Sequence, residues 1–276
     1  LSRSRLVFFS ALIFFCMNFL ELFIFVKVPW YGYLALAVLF AASVFSFVRT
    51  FASRSSVQPP EMGSRIQILG IPIDVCTPAT VLEKISGFIR EPDGFFHIVT
   101  ADSLAIFRAN RDKGFGRILH RASMILPDGA GLVWAADFLG TPIPGRTPGI
   151  ALVSDLCERA AKEGWSVYFL GSKPGVMQEA VDMLLRRFPT LNVAGIHHGY
   201  FHEGSEIEEQ VLEDLRQKKP DIAFIALGVP KQELFIQRLR PIISKTVAIG
   251  VGGSFDVISG NLPRAPVLMQ KFALEW

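Results

Sequence analysis

The 276-residue sequence is poor in charge and in cysteine. Only 19% of its residues are charged, whereas charged residues make up about a quarter of an ordinary soluble domain. Lys and Arg exceed Asp and Glu by a small margin, 28 against 25, which disfavours a protein that neutralises nucleic-acid backbones. The three cysteines, Cys16, Cys76 and Cys157, are far apart and form no CxxC or Cys/His pattern. This spacing predicts neither a disulfide framework nor a structural zinc site.

Hydrophobic residues make up 50% of the chain, and the excess is concentrated near its start. Residues 6–26 and 30–48 form two apolar stretches, each long enough as a helix to cross a hydrocarbon core of about 30 Å. Trp30 follows the break between them, and tryptophan is typical of a membrane interface. The sequence therefore predicts a membrane-associated helical hairpin over residues 1–50, with both ends cytoplasmic.

Other interpretations of this segment stay open. A signal peptide has a shorter apolar region and a small-residue cleavage site, and the first stretch fits neither. Glu21 counts against a clean span, because an acidic group at membrane depth costs at least ~2.5 kcal/mol unless it is paired or near an interface. The alternatives are helices that lie in the interface and helices that are buried in a protein core.

Residues 51–63, FASRSSVQPPEMG, have the Ser, Pro and charged composition of a linker. The remaining residues, 64–276, are enough for one globular domain with a full core. In this region short runs rich in β-branched and aromatic residues alternate with amphipathic helical stretches. The runs are FFHIV at 95–99, ASMIL at 122–126, SVYFL at 166–170, DIAFIAL at 221–227 and TVAIGV at 246–251. The alternation predicts an α/β fold with a mostly parallel sheet and helices on both faces.

A parallel sheet binds ligands outside the carboxyl ends of its strands, so the residues that follow each run are the candidates for a site. They are small or hydrogen-bonding residues: Thr100, Asp102, Asp128, Gly129, Gly171, Ser172, Gly175, Gly228, Lys231, Gln232, Gly252, Gly253 and Asp256.

Two of these turns have features that suit an anionic ligand. The loop GSKPG at 171–175 opens a helix and is either a tight turn or a phosphate site. It matches neither the dinucleotide fingerprint G-x-G-x-x-G nor a P-loop. The turn GVPKQE at 228–233 places a cation, an amide and an anion at a helix start.

Asp128 has the strongest claim to chemistry among these residues. It lies in the tripeptide PDG at 127–129. From the residues alone it is either a catalytic carboxylate or an ordinary turn residue that caps a helix.

A set of short motifs in fixed order resembles one family. The motifs are TAD at 100–102, PDG at 127–129, Gly149 with the helix after it, FLGS at 169–172, HGYF at 198–201, PD at 220–221, GVPKQE at 228–233, GVGG at 250–253 with FD at 255–256, RAP at 264–266 and EW at 275–276. In order and spacing they resemble the WecG/TagA/CpsF glycosyltransferases, from about Ile66 to the last residue. The resemblance implies a Rossmann-like domain over residues 64–276.

It also implies an inverting, metal-independent transfer of a hexose such as N-acetylmannosamine. The donor would be a UDP-sugar and the acceptor a polyprenyl-diphosphate-linked sugar, at the cytoplasmic face of the membrane. Asp128 matches the proposed general base of the family. Such a base accepts the proton of the acceptor hydroxyl on the face opposite the departing diphosphate.

The other candidate residues would bind substrate. Arg264, Lys231 and the turn at Gly252 and Gly253 are candidates to hold the diphosphate, and Thr100 and Gln232 to orient sugar hydroxyls or phosphate. Tyr200 or Phe201 could stack on a sugar or base, or pack in the core. The adjacent His197 and His198 point to opposite faces of an extended segment and predict no metal site.

The sequence departs from the family pattern at three places. TAD at 100–102 stands where members typically have Thr-x-Asn, so Asp102 either lies near Asp128 and raises a carboxyl pKa or caps the next helix. The sequence ends at Trp276, where the family continues into an arginine-bearing tail. The hydrophobic hairpin is also atypical, and we expect it to attach the enzyme to the bilayer.

Two other function classes compare with the transferase. A nucleotide-binding oxidoreductase would need a glycine fingerprint and a ribose-binding acid, which the sequence lacks. A catalytically silent, membrane-tethered nucleotide-sugar-binding or scaffold protein stays the alternative to the transferase. The expected partners are the UDP-sugar, the lipid-linked acceptor and the bilayer, with homo-oligomerisation possible and neither a cofactor nor a nucleic acid involved.

Overall fold

The computed structural model describes residues 60–262. Its strands are β1 (Arg65–Ile68), β2 (Ile71–Asp74), β3 (Gly94–Ala101), β4 (Met124–Pro127), β5 (Ser166–Gly171), β6 (Asn192–His197), β7 (Ile222–Ala226) and β8 (Lys245–Gly250). Its helices are α1 (Pro78–Arg90), α2 (Ser103–Arg111), α3 (Lys113–His120), α4 (Ala130–Leu139), α5 (Gly149–Glu163), α6 (Val176–Arg187), α7 (Glu206–Lys218), α8 (Lys231–Leu239) and α9 (Ser254–Ile258).

Six of these strands form one parallel sheet in the order β4-β3-β8-β7-β5-β6. The α/β prediction is therefore confirmed. Each of the five apolar runs forms a strand, and the predicted amphipathic stretch after it contains α2, α4, α6, α8 or α9.

Alternate residues of the central strands face two different helical layers, because successive side chains in a strand point to opposite faces. Phe169, Phe224 and Ile249 pack with residues of α5 and α6 in one core. Their neighbours Tyr168, Ile225 and Ala248 pack with α7 and α8 on the other face. Both faces of the sheet are therefore buried, and its carboxyl edge is left for ligands.

The first two strands form an antiparallel hairpin that the sequence analysis did not predict. Asp74 attaches this hairpin to the sheet, since its Oδ2 accepts a 2.7 Å hydrogen bond from the backbone N–H of Ile125 in β4. Its Oδ1 lies 3.2 Å from Nε of Arg65. The hairpin also contributes Ile66, Ile68, Ile71 and Ile73 to a core with α2, α3 and α4.

The strand order places a crevice beside β3. The chain passes from β3 to β4 on one side, whereas β8 lies on the other side of β3 and is paired with β7. In open α/β sheets such a divergence of connections opens a ligand crevice at the carboxyl ends of the strands. The residues that follow β3, β4 and β8 therefore converge.

The hydrophobic hairpin predicted over residues 1–50 lies outside the described residues and stays a prediction. From residue 60 to residue 262, the structure contains no helix that combines the length and apolarity of a membrane span.

Candidate active site

A cavity of about 380 Å³ opens at the carboxyl ends of β3, β4 and β8. Its walls come from the strand ends and from the starts of α5, α8 and α9. The lining residues are Thr100, Asp102, Asp128, Pro148, Gly149, Ile150, Val229, Gln232, Val251, Gly252, Gly253, Ser254 and Val257. Six of the residues predicted from the sequence are thus brought together: Thr100, Asp102, Asp128, Gln232, Gly252 and Gly253.

Thr100 lines this cavity and connects two of the strands that form it. It lies near the end of β3, is 6% exposed, and its hydroxyl donates a 2.7 Å hydrogen bond to the carbonyl oxygen of Gly250 at the end of β8. With its proton committed to Gly250, the Thr100 oxygen keeps its acceptor capacity for a ligand hydroxyl or N–H group.

The two aspartates follow neighbouring strands at the same level. Ala101 is paired with Pro127 in the parallel register of β3 and β4, and the N–H of Asp128 donates a 2.9 Å hydrogen bond to the oxygen of Ala101. Gly129 keeps the two segments close, since a Cβ atom there would lie 3.2 Å from Cβ of Asp102. Asp102 and Asp128 both line the cavity.

Asp102 also caps a helix. Its Oδ1 accepts a 2.7 Å hydrogen bond from the N–H of Ala105, in the first turn of α2. The helix-capping role that the sequence offered for Asp102 is therefore confirmed. The capping bond fixes the carboxylate at the edge of the cavity, on the side of Asp128.

The start of α5 forms another wall of the cavity, which the sequence did not predict. Pro148, Gly149 and Ile150 line the cavity there, and the N-cap residue Pro148 offers no side-chain cap. A Cβ atom at Gly149 would lie only 3.1 Å from Oγ of Ser254 and 3.4 Å from Oγ1 of Thr100. The glycine thus lets the helix end approach the strand ends closely, and its N–H groups and dipole favour an anion in the cavity.

Gln232 connects two walls of the site. It is 1% exposed, and its Oε1 accepts a 3.0 Å hydrogen bond from the N–H of Gly252. Its Nε2 donates a 2.8 Å hydrogen bond to Oε1 of Glu233. The Gly252 N–H, one of the candidates for binding diphosphate, is therefore engaged by Gln232.

Glu233 is a buried acid that sequence reasoning did not single out as a site residue. Burial raises the pKa of its carboxyl to about 7, and the negative charge of Asp102 acts in the same direction, whereas the hydrogen bond from Gln232 lowers it. The KQE triplet contained a signal for this acid, but the sequence did not fix which of the three side chains faces the sheet.

Several other predicted residues lie at the same edge of the sheet without lining the cavity. Ser172 and Asp256 contact each other, with the Ser172 hydroxyl 3.3 Å from Oδ2 of Asp256. Tyr200 is 59% exposed. Gly129, Gly171 and Gly228 are also absent from the lining. Arg264 lies outside the described residues.

Lys231 faces a second cavity, of about 180 Å³, rather than the first. Phe201, Glu208 and Arg238 are among the residues that line it. An Nη atom of Arg238 lies 2.5 Å from Oε1 of Glu208.

The described part of the chain contains no cluster of three or more His, Cys, Asp or Glu side chains placed to hold a metal ion. The expectation that His197 and His198 point to opposite faces is wrong, because their rings contact each other at the end of β6. Their ring centroids are 4.5 Å apart, and Nδ1 of His197 lies 2.6 Å from the backbone oxygen of His198.

The chain matches one family profile and is similar to several known proteins. The sequence profile of the glycosyl transferase WecG/TagA/CpsF family matches residues 66–276. The chain is 37% identical over 189 residues to an N-acetylglucosaminyldiphosphoundecaprenol N-acetyl-beta-D-mannosaminyltransferase of Bacillus spizizenii, covering 68% of this chain and 72% of that protein. Proteins of the same name from Bacillus subtilis and Staphylococcus aureus are 34% and 32% identical, over 65% and 77% of this chain and 68% and 83% of their own length.

Proposed function

Because the chain belongs to the WecG/TagA/CpsF glycosyltransferase family, we propose that it transfers a hexose from a UDP-sugar to a polyprenyl-diphosphate-linked sugar, with inversion at the transferred carbon. The names of its relatives specify an N-acetylmannosaminyl group and an N-acetylglucosaminyl-diphosphoundecaprenol acceptor. These names support the acceptor class and favour an N-acetylmannosamine-like donor sugar. The product would enter the synthesis of a cell-surface polysaccharide.

The observation that carries the proposal is the position of Asp128. Asp128 lines a cavity large enough for part of a nucleotide-sugar. In an inverting transfer, the acceptor hydroxyl attacks the anomeric carbon as the bond to the diphosphate breaks, and a carboxylate accepts the hydroxyl proton. We assign that role to Asp128. The Thr100 oxygen, directed by its bond to Gly250, would accept a hydrogen bond from the acceptor or the sugar.

The leaving diphosphate requires positive potential, and the start of α5 supplies it in this proposal. α5 has 15 residues, and the first N–H groups of such a helix have no partner within it. Their dipoles add to about half a positive charge at the helix start. Electrostatic stabilisation of this kind can act without a metal ion, so we propose that the transfer is metal-independent. Arg264 stays a candidate for binding the diphosphate. Lys231 is a weaker candidate because it lines the other cavity.

The test is UDP release from UDP-N-acetylmannosamine with a lipid-diphosphate-N-acetylglucosamine acceptor. Asp128→Asn should lower kcat by about 10²- to 10⁴-fold and leave the Kd for UDP nearly unchanged. The control is Asp137→Asn, on the exposed side of α4, which should keep the wild-type rate. EDTA should not lower the rate.

The possible outcomes separate the two function classes. Turnover that is insensitive to Asp128→Asn would remove the assignment of the base. UDP binding by the full-length chain without turnover would favour the scaffold or binding protein over the transferase.

We also propose that residues 1–50 attach the enzyme to the cytoplasmic membrane, with the catalytic domain in the cytoplasm. Their two apolar stretches and their flanking arginines support this location. The full chain should remain in the membrane fraction after a wash at high salt, and a chain that lacks residues 1–58 should be released. Retention of the shortened chain would place the membrane contact elsewhere.

A further inference from the structure

Glu233 is a buried acid that the proposed chemistry does not use. It lies in the first turn of α8 and has no exposed surface. Oε1 accepts the hydrogen bond from Gln232, whereas Oε2 is buried and has no hydrogen-bond partner among the described residues. A buried carboxyl group with one unsatisfied oxygen is destabilising in itself. Stability alone therefore does not explain why an acid occupies this position beside the cavity.

Glu233 is connected to the cavity through one side chain, that of Gln232. Gln232 lines the cavity and lies between Glu233 and Gly252. Its amide is asymmetric, with donors on the nitrogen and acceptors on the oxygen. Glu233 accepts from the nitrogen and the N–H of Gly252 donates to the oxygen, so the two neighbours together select one orientation of the amide.

The pair is also confined by sterics. A Cβ atom at Gly250 would lie 2.6 Å from Nε2 of Gln232 and 3.2 Å from Oε1 of Glu233. The Gln232 and Glu233 side chains therefore occupy the space that a side chain at the end of β8 would fill. Thr100 binds the carbonyl oxygen of the same glycine, so the three side chains converge on one backbone position.

We propose that Glu233 is a positioning residue of the transferase: by holding the Gln232 amide in one orientation, it fixes the Gly252–Gly253 turn as a preformed wall of the nucleotide-sugar cavity. Glu233 does not itself line that cavity. Through Gln232, it would act on donor binding and on the geometry of transfer. The inference rests on the function proposed above, although its central claim, the order of the turn, can be measured without turnover.

Preorganisation is the physical advantage of this arrangement. A wall that is already ordered does not lose conformational freedom when the nucleotide-sugar binds, so less of the binding free energy is lost. One N–H of the Gln232 amide is used by Glu233, and the second is left to donate to a ligand. Supporting side chains of this kind hold a site within the tolerance that catalysis requires.

The experiment compares Glu233→Met, which keeps the side-chain length but removes the acceptor, with Glu233→Gln, which retains an acceptor oxygen. Hydrogen exchange of the Gly252 amide reports directly on its bond to Gln232. We expect Glu233→Met to speed this exchange and to raise the Kd for UDP, each by about tenfold, the effect of one lost hydrogen bond. Glu233→Gln should restore both values to near wild type, and Glu209→Met, at an exposed position of α7, should change neither.

A double-mutant cycle tests whether Glu233 acts through Gln232. Gln232→Met should speed Gly252 exchange as Glu233→Met does, and in that background Glu233→Met should have no further effect on exchange, on the Kd for UDP or on kcat/KM. Additive losses would overturn the inference, because they would mean that Glu233 acts independently of Gln232. A lower Tm with unchanged Gly252 exchange and UDP affinity would assign Glu233 a structural role only.

The outcomes also separate this inference from the proposed function. If the wild-type chain binds UDP without releasing it from a UDP-sugar, the transferase proposal fails, while the exchange and affinity measurements still decide the role of Glu233. If Glu233→Met does not fold, Gln232→Met and the shorter acid of Glu233→Asp test the same bond. Wild-type Gly252 exchange in both would overturn the inference.

Discussion

The hydroxyl of Thr100 donates a 2.7 Å hydrogen bond to the carbonyl oxygen of Gly250, a residue 150 positions further along the chain. The bond joins the carboxyl ends of two adjacent strands, β3 and β8, where their backbones diverge toward different helices. Thr100 also lines the cavity, together with Asp128. One side chain thus serves the packing of the sheet and the shape of the site.

We expect Thr100→Val to reduce both stability and activity. Valine fills the same space but leaves the Gly250 carbonyl group without its buried donor, which costs about 1–3 kcal/mol of unfolding free energy. Urea denaturation measures that loss, and UDP release measures the effect on turnover. Thr100→Ser restores the hydroxyl and should recover most of both. Equal stability of the valine and serine variants would show that the bond contributes little.

Gly250 should not tolerate a side chain. In Gly250→Ala, the Cβ atom would meet Nε2 of Gln232 at 2.6 Å, and forcing the pair apart should cost about 1–3 kcal/mol. Gly253→Ala is the matched comparison, because a Cβ atom there has no neighbour closer than 3.9 Å. Thermal unfolding of the two variants should show a lower Tm for Gly250→Ala only. A normal Tm for Gly250→Ala would mean that Gln232 and Glu233 move aside easily.

His97 should make the protein less stable in acid. Burial, with a smaller contribution from the positive charge of Arg240, lowers the pKa of His97 to about 3, from an ordinary value of 6.5. Below pH 6.5 the unfolded chain takes up a proton that the folded protein does not, so the unfolding free energy falls as pH decreases. Near pH 5.5 this one group should contribute a slope of about 1 kcal/mol per pH unit.

Denaturation of His97→Leu between pH 7 and pH 5 isolates this contribution. The variant should show a shallower loss of stability than the wild type, even if its stability at pH 7 is lower. His120→Leu, at an exposed position, should keep the wild-type slope. An unchanged slope in His97→Leu would mean that His97 is protonated in the folded protein.

Glu208 should control the order of the loop that carries Tyr200. It is 2% exposed, its Oε2 accepts a 2.6 Å hydrogen bond from the N–H of Gly204, and its Oε1 lies 2.5 Å from Arg238. Glu208→Ala removes both contacts, so the amides of residues 199–204 should exchange faster, by about tenfold at Gly204. Glu209→Ala, on the exposed side of the same helix, should leave the exchange of these amides unchanged. Fast exchange in both variants would mean that a change in α7, rather than the loss of the Glu208 contacts, loosens the loop.

The loop variant also tests the predicted stacking of Tyr200 on the nucleotide or sugar. If Tyr200 stacks there, Glu208→Ala and Tyr200→Ala should both weaken UDP binding, and the double variant should be no weaker than Tyr200→Ala alone. Calorimetric titration measures each affinity. Unchanged affinity in Tyr200→Ala would assign that exposed ring to another surface.

Local sequence was sufficient for much of the fold. The five predicted strands could be recognised because short, nearly continuous runs of β-branched and aromatic residues are typical of buried parallel strands. The segment NVAGIH at 192–197 was missed because it has too few such residues, and it forms β6 only by pairing with β5. The hairpin of β1 and β2 was also missed, and its attachment to the sheet depends on Asp74, which accepts a hydrogen bond from a strand 51 residues further along the chain.

The candidate site shows the same division between what local sequence predicts and what the tertiary structure decides. The candidate residue types could be read from the residues that follow each strand, and the order of the motifs identified the family. Which of those residues share one cavity could not be read, because that depends on the strand order. β8 lies beside β3 rather than beside β6, so Gly252 and Gln232 join Thr100 and Asp128, while Ser172 and Tyr200 lie outside the cavity lining.

By itself, then, the sequence determined the alternation of strands and helices, the family, and the residue types at the carboxyl edge of the sheet, since each of these follows from residues close together in the chain. Tertiary structure alone decided that Lys231 faces a second cavity, that α5 begins at the first, and that Glu233 is buried beneath Gln232. These features depend on the rotation and position of each helix against the sheet. The combined packing of elements distant in sequence sets that rotation and position, so no local sequence pattern predicts them.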